Sequence, residues 1–194
     1  LLEQFVMHNP ISPEINLNNL KDVSVILNNL KVEYCVFFGT ALGIYRNQGI
    51  IEHDDDIDFL VNSTYFNVVV AAMRQAGYQQ SSAFLQNNFA QFQKKIDLVT
   101  SYIDFYFFED KGNYLLEKWN FRGTHWLPQT HIYIPKDLIY PLNTFSFSTF
   151  TTSIPGDMLG VCKYLYGERF METLIKDKEY RPYIKDNIPQ VEYL

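Results

Sequence analysis

His53-Asp54-Asp55-Asp56-Ile57-Asp58-Phe59-Leu60-Val61 runs four aspartates directly into three apolar residues. An acidic run alone is usually a solvated loop. Here Ile57 stands among the acids, which is strand-like alternation, and the apolar continuation reads as a buried strand over Asp55 to Val61. On a strand, Asp56 and Asp58 point their carboxylates to the same face. Two acids aimed at one spot repel unless a cation joins them. Hard divalent ions such as Mg²⁺ take oxygen sites of that kind and usually bring a phosphate with them. A calcium loop fits poorly. Asp54, Asp56 and Asp58 match its first odd positions, but Phe59 stands where glycine is needed and Tyr65 where the closing glutamate belongs.

Upstream, Tyr34-Cys35-Val36-Phe37-Phe38 is a continuous apolar run ending at Gly39, the pattern of a buried strand stopping at a tight turn. Gly39 admits close approach of a phosphate, and Thr40 offers a hydroxyl and an amide where a short helix to Arg46 begins. The turn matches neither the dinucleotide-binding nor the P-loop pattern. Arg46, on the same helix, is a candidate phosphate clamp. Further back, Pro13 and Glu14 suit a first helical turn, and Leu20, Val23, Leu27 and Leu30 recur at helical spacing, so a helix is expected over 13–30. Its polar face is expected to include Asn19.

Downstream, a helix capped by Ser63 or Thr64 should run to Ala76 before Gly77. Residues 78–100 suggest two short strands around Gln86-Asn87-Asn88, with Lys94-Lys95 in a solvated turn. Tyr102-Ile103-Asp104-Phe105-Tyr106-Phe107-Phe108 is a strong strand with one charge in its middle. A lone aspartate on an apolar strand costs several kcal/mol if buried without a partner. Asp104 is therefore expected to join Asp56 and Asp58 at one cation site, as a ligand or as acceptor of a hydroxyl proton. Asp97, on a weaker strand, is the second choice. Strand-like pieces follow at 131–134 and 144–150, and Pro155 should open a last helix closed by Gly167.

The whole reads as one α/β or α+β domain over 1–194, with an arm at 1–12 and an irregular tail at 170–194. Composition agrees: 194 residues, 47% apolar and 16% aromatic, enough for a sizeable core. The net charge of −6 argues against a nucleic-acid partner. A diphosphate can approach such an acidic site only with cations between. Cys35 and Cys162 form neither a disulfide framework nor a zinc site, and a reduced, cytoplasmic setting is expected. No apolar run approaches the length of a membrane span. The start at Leu1-Leu2-Glu3 reads as no signal peptide and suits a chain cut from something longer.

Gly39-Thr40-Ala41-Leu42-Gly43, Arg46, Gly49-Ile50-Ile51 and Asp54-Asp55-Asp56-Ile57-Asp58 together resemble the LicD/fukutin family, whose pattern is roughly G-T-x-L-G-x-x-R, a short gap, then I-P-W-D-x-D-x-D. Asp104, the step Ile139-Tyr140-Pro141-Leu142 and the stretch from Pro155 to Tyr164-Leu165-Tyr166-Gly167 extend the likeness over most of 34–170. Glu52-His53 replaces the family's Pro-Trp and leaves the role of His53 open, and the segment between Val61 and Asp104 does not align. The resemblance implies a nucleotidyltransferase-like mixed sheet flanked by helices. It implies transfer of a phospho-alcohol, such as phosphocholine or ribitol phosphate, from a CDP-linked donor to a glycan hydroxyl, with CMP leaving. It implies Mg²⁺ or Mn²⁺ on Asp56 and Asp58, completed by Asp104. Gly39, Thr40 and Arg46 would meet phosphate, and Asp54 would support the metal site or its loop. The chain would then be one domain of a larger glycan-modifying enzyme, and a eukaryotic fukutin-like protein would work in the Golgi lumen.

Three other readings compete. The same fold can move NMP from an NTP to a small acceptor, but the long gap between Gly39 and Asp56, holding L-G-x-x-R, favours the LicD-like reading. A glycosyltransferase using D-x-D lacks a reason for the Gly-Thr turn. A non-catalytic glycan-binding module would suit the aromatic content, yet all three acids are present. His125 and His131 are too few for zinc, and Lys163 and Arg122 read as surface or stacking residues.

Overall fold

The computed structural model of the protein describes residues 11–52, 54–118, 130–172 and 191–193. The expected arm lies almost wholly outside them, as does most of the expected tail. Helix α1 spans Pro13–Asn29, with Ser12 Oγ accepting from Glu14 N–H at its start. Leu20, Val23 and Leu27 are fully buried, whereas Leu30 caps the helix and is exposed. Asn19, expected on the polar face, is buried, and so is Asn16.

Strand β1 (Tyr34–Val36) leads into α2 (Phe38–Asn47), so the first strand is shorter and its helix longer than expected. Strand β2 (Asp56–Asn62) is followed by a 3₁₀ turn at Ser63–Tyr65 and by α3 (Phe66–Gln75). Asn62 caps this turn by accepting from Thr64 N–H, which displaces Ser63 and Thr64 from the capping role. Strands β3 (Gln79–Leu85) and β4 (Phe89–Ile96) form a hairpin before the long β5 (Val99–Asp110). Lys94 and Lys95 are thus on a strand, and the turn falls at Asp97, whose φ of +54° and exposed side chain remove it from the site.

Then come β6 (Tyr114–Glu117), β7 (Thr130–Pro135), the short α4 (Lys136–Ile139) and a hairpin of β8 (Asn143–Ser146) and β9 (Thr151–Ile154). The strand expected over 144–150 is the first arm and turn of that hairpin. Helix α5 is Met158–Tyr166, so it starts three residues after Pro155, with Asp157 capping it by accepting from Gly160 N–H. β10 (Val191–Tyr193) pairs with β7 at the sheet edge, and the expected tail over 173–190 lies outside the described residues.

Among the described residues eight strands make one mixed sheet, whose main path runs β1-β2-β5-β6-β7-β10 with β3 and β4 off it. β2 and β5 are parallel, with Asp58 level with Asp104. The other edge of β5 takes β4 first and β6 beyond it, and β3 extends the sheet outward from β4. On one face Ile57, Phe59, Val61, Ile103, Phe105 and Phe107 pack with α1, α3 and the β8–β9 hairpin. On the other, Leu60, Tyr106 and Phe108 pack with α5 and with Phe37, Phe38 and Leu42. Each large apolar side chain so buried contributes about 1.5–3 kcal/mol. Among the described residues no helix is long and apolar enough to cross a membrane.

Both cysteines are about 1% exposed. Burial pushes the Cys162 thiol up to about 12, and burial with nearby Glu33 pushes Cys35 up too. The thiolate is the reactive form. Native protein at pH 8 is therefore expected to resist maleimide, read by intact mass, and to label fully in denaturant; fast native labelling would contradict the burial.

Candidate active site

Three carboxylates converge where β2 and β5 lie side by side. Parallel register sets Asp58 beside Asp104 and Asp56 beside Tyr102, on one face of the sheet. Asp56, Asp58 and Asp104 each bring a carboxylate oxygen within 4.8 Å of the others. Asp58 is 4% exposed and Asp104 is 7%, while Asp56 is half-buried. Like charges that close, and that far from water, are tolerable when a cation or donors answer them. A set of carboxylate oxygens at this spacing fits a hard divalent ion.

The turn after β1 supplies donors. Gly39 N–H, in the first turn of α2, donates to Asp58 Oδ2 at 3.1 Å. Asp58 N–H donates to Thr40 Oγ1 at 2.9 Å, and Phe37 N–H donates to the Asp58 carbonyl at 3.0 Å. The strand that carries the acids and the helix start that would hold phosphate are thereby one unit. Phe38, between them, holds φ +36°, a conformation a bulky residue adopts only when its surroundings impose it. Thr40 is 2% exposed. Thr40→Val keeps the shape but leaves the Asp58 N–H without that acceptor. The expected cost is about 1–3 kcal/mol of stability, read from urea unfolding; an unchanged midpoint would contradict this link.

Asp54 closes the other side. A Cβ on Gly39 would meet Asp54 Oδ2 at 2.8 Å, so glycine is required for this approach. Asp54 with Asp55 and Asp56 forms a second group of carboxylate oxygens within 4.8 Å of one another. Asn16 Nδ2 donates to the Asp54 carbonyl at 3.2 Å, and Asp54 N–H donates to the Ile51 carbonyl at 3.2 Å. Gly43 lets this loop settle on α2: a Cβ there would lie 2.7 Å from the Gly49 carbonyl oxygen. The spacing of Gly43, Gly49 and Ile51 is thus a packing requirement of the acidic loop.

Arg46 lies at the far end of α2, about 10 Å along the axis from Gly39. Its Nη1 donates to the Glu172 carbonyl at 3.2 Å. The sequence reading overlooked Tyr106 and Asn16. Tyr106, two residues past Asp104 and so on the same face, is 3% exposed and packs against Phe37, Phe38 and Phe89. Burial pushes its phenol well up, and Asp58, Asp104 and Asp56 add to the shift, so it stays protonated beside the acids. Period-two spacing from Asp104 was the available signal. His53, Arg122 and His125 lie outside the described residues.

Residues 31–157 match the family described as LicD/FKTN/FKRP, nucleotidyltransferase domain. An uncharacterized protein of Rickettsia prowazekii is 26% identical over 152 residues, 77% of this chain and 53% of that protein. An uncharacterized protein of Rickettsia typhi is 33% identical over 63 residues, 31% of this chain and 20% of that protein. The chain thus spans about half or less of these curated relatives. Among solved structures, the lincomycin-bound lincosamide antibiotic adenylyltransferase LnuA superposes with a TM-score of 0.53 and 13% identity, covering 93% of this chain and 99% of that one. That likeness establishes the nucleotidyltransferase-like fold.

Proposed function

Since the chain belongs to the LicD/FKTN/FKRP nucleotidyltransferase-domain family, we propose that it moves a phospho-alcohol, of phosphocholine or ribitol-phosphate type, from a CDP-linked donor to a hydroxyl of a glycan. The observation that carries the reading is the meeting of Asp56, Asp58 and Asp104 on two parallel strands beside the Gly39 turn.

Asp56, Asp58 and Asp104 would hold Mg²⁺ or Mn²⁺, which when bound supplies charge neutralisation for the diphosphate. Gly39 N–H, now on Asp58 Oδ2, is a donor at a helix start, where a phosphate oxygen is well received. The acceptor hydroxyl attacks the phosphorus that bears the alcohol. Its O–P bond forms as the bridging O–P bond to CMP breaks, and CMP keeps the bridging oxygen. Asp104 would take the hydroxyl proton on the carboxylate oxygen that the metal leaves free. Asp54 braces the turn against Gly39, and Arg46 joins the diphosphate by releasing the Glu172 carbonyl. Tyr106 walls the site from below with a neutral phenol.

The same carboxylates would serve nucleotidyl transfer from an NTP, so the test separates the two. CDP-choline or CDP-ribitol with neutral oligosaccharides is expected to release CMP in Mg²⁺ and none in EDTA. Pyrophosphate release from NTPs, with CDP compounds untouched, would move the assignment to nucleotidyl transfer. Neither product, with oligosaccharide still bound, would leave a glycan-binding module.

A further inference from the structure

The face that carries the acids does not end at Asp104. Antiparallel pairing sets Gln91 of β4 level with Asp104 and Gln93 level with Tyr102. The next pairing sets Gln79 of β3 level with Gln93. Cross-strand partners share a face. Two polar rows therefore leave the acid cluster: Asp58, Asp104, Gln91, and Asp56, Tyr102, Gln93, Gln79. Ser81 Oγ donates to Gln91 Oε1 at 2.8 Å, so β3 extends the first row too. The opposite face of the hairpin differs in kind. There Phe92 is fully buried, and Lys94 lies 3.9 Å from Asp22 of α1 and over the Tyr78 ring.

We infer that the strip formed by Gln79, Ser81, Gln91, Gln93 and Tyr102 is the acceptor subsite, and that it takes a neutral polyhydroxylated chain, a glycan without acidic groups. The inference rests on the transfer reading above and names the acceptor's chemistry and its binding residues. Position favours it. The Gly39 turn meets the acids from the β1–β2 side, so a donor phosphate held there leaves β4 and β3 as the approach to Asp104. The strip continues from the acid cluster for two strand spacings, about 10 Å, enough for a short run of sugar rings.

Chemistry favours it as well. None of the five side chains carries a charge, and the first charge on that face is Lys95 at the hairpin end, level with Thr100. Carboxamides each offer donors and an acceptor, which pairs them with vicinal hydroxyls. Tyr102, half-buried at the centre, presents an aromatic ring for sugar stacking. Gln91, Gln93 and Ser81 are half-buried, and Gln79 is exposed.

Saturation-transfer NMR tests this without donor or metal. The probes are lactose, maltotriose and chitobiose against 3′-sialyllactose and a heparin disaccharide. Wild type is expected to show transfer to at least one neutral probe and little to the acidic ones. Gln91→Val/Gln93→Val, which keeps strand propensity, is expected to weaken it at least tenfold, since one lost hydrogen bond is worth about a factor of ten. Circular dichroism checks its fold; if the double variant unfolds, Gln79→Val on the exposed strand takes its place with the same expectation. No transfer to any neutral probe, preference for the acidic ones, or an undiminished signal in the folded variant would overturn the inference. A failure of the donor reading would show separately, as absent CDP binding with the oligosaccharide signal intact.

Discussion

Asp58→Asn is expected to cripple transfer while leaving the metal-free protein at least as stable as wild type. Asp58 is nearly buried between Asp56 and Asp104, with carboxylate oxygens within 4.8 Å. Two ionised carboxylates at that separation repel by on the order of 3 kcal/mol near a protein surface. Asparagine removes the charge but keeps an oxygen to accept from Gly39 N–H. It also keeps the backbone N–H that Thr40 anchors. The melting temperature without metal should therefore rise or stay level, and the stabilisation that Mg²⁺ or Mn²⁺ gives wild type should vanish. Activity should fall by about 10³-fold, since charge neutralisation of the diphosphate is worth several kcal/mol. A variant that melts well below wild type, or that keeps its activity, would contradict this account of the cluster.

Gly39→Ala is expected to cost activity out of proportion to stability. The new methyl would sit 2.8 Å from Asp54 Oδ2 and 3.5 Å from Asp58 Oδ2. The neighbours are side-chain oxygens, so the fold survives by moving Asp54, and the loss is in the aim of the acids and in the space beside the turn. A displacement of that size at a reacting centre is worth about 10²-fold in rate. Gly49→Ala serves as the control, because a Cβ there meets only the Asn47 carbonyl oxygen at 3.8 Å. Equal activities for the two variants would remove the Gly39 turn from the site.

The acids were legible in the sequence because strand geometry has a strict period. Asp56 and Asp58 share a face whatever the rest of the chain does, and Asp104 stood out as a single charge on an apolar strand. Only the parallel register of β2 on β5, which the sequence does not encode locally, sets Asp58 beside Asp104. The Gly39 turn was legible for a related reason, since it ends an apolar run. Its bonding was not: Gly39 N–H and Thr40 Oγ1 serve Asp58 across 19 and 18 residues.

Asn16 and Asn19 show where local reading fails. Asn19 follows Asn18 and was read as part of the polar face, while Asn16 stands between Ile15 and Leu17, on a helix whose apolar stripe was clear. Their burial comes from distant partners, the Asp54 carbonyl 38 residues on and the Tyr78 hydroxyl 59 residues on. Ser24 is buried for the same reason, donating to Thr152 Oγ1 at 2.8 Å. The start of α5 moved because Asp157 offers a side-chain acceptor that Pro155 lacks. The polar rows of β3 and β4 escaped notice because glutamines at alternate positions read as an ordinary solvated strand until their neighbours are known.

Calorimetric titration of CDP in Mg²⁺ and in EDTA, against wild type and Asp56→Ala/Asp58→Ala, tests the central claim most directly. The account predicts binding that needs both the metal and the two acids, and that prefers CDP to UDP. Binding that persists in EDTA, or in the folded double variant, would contradict it.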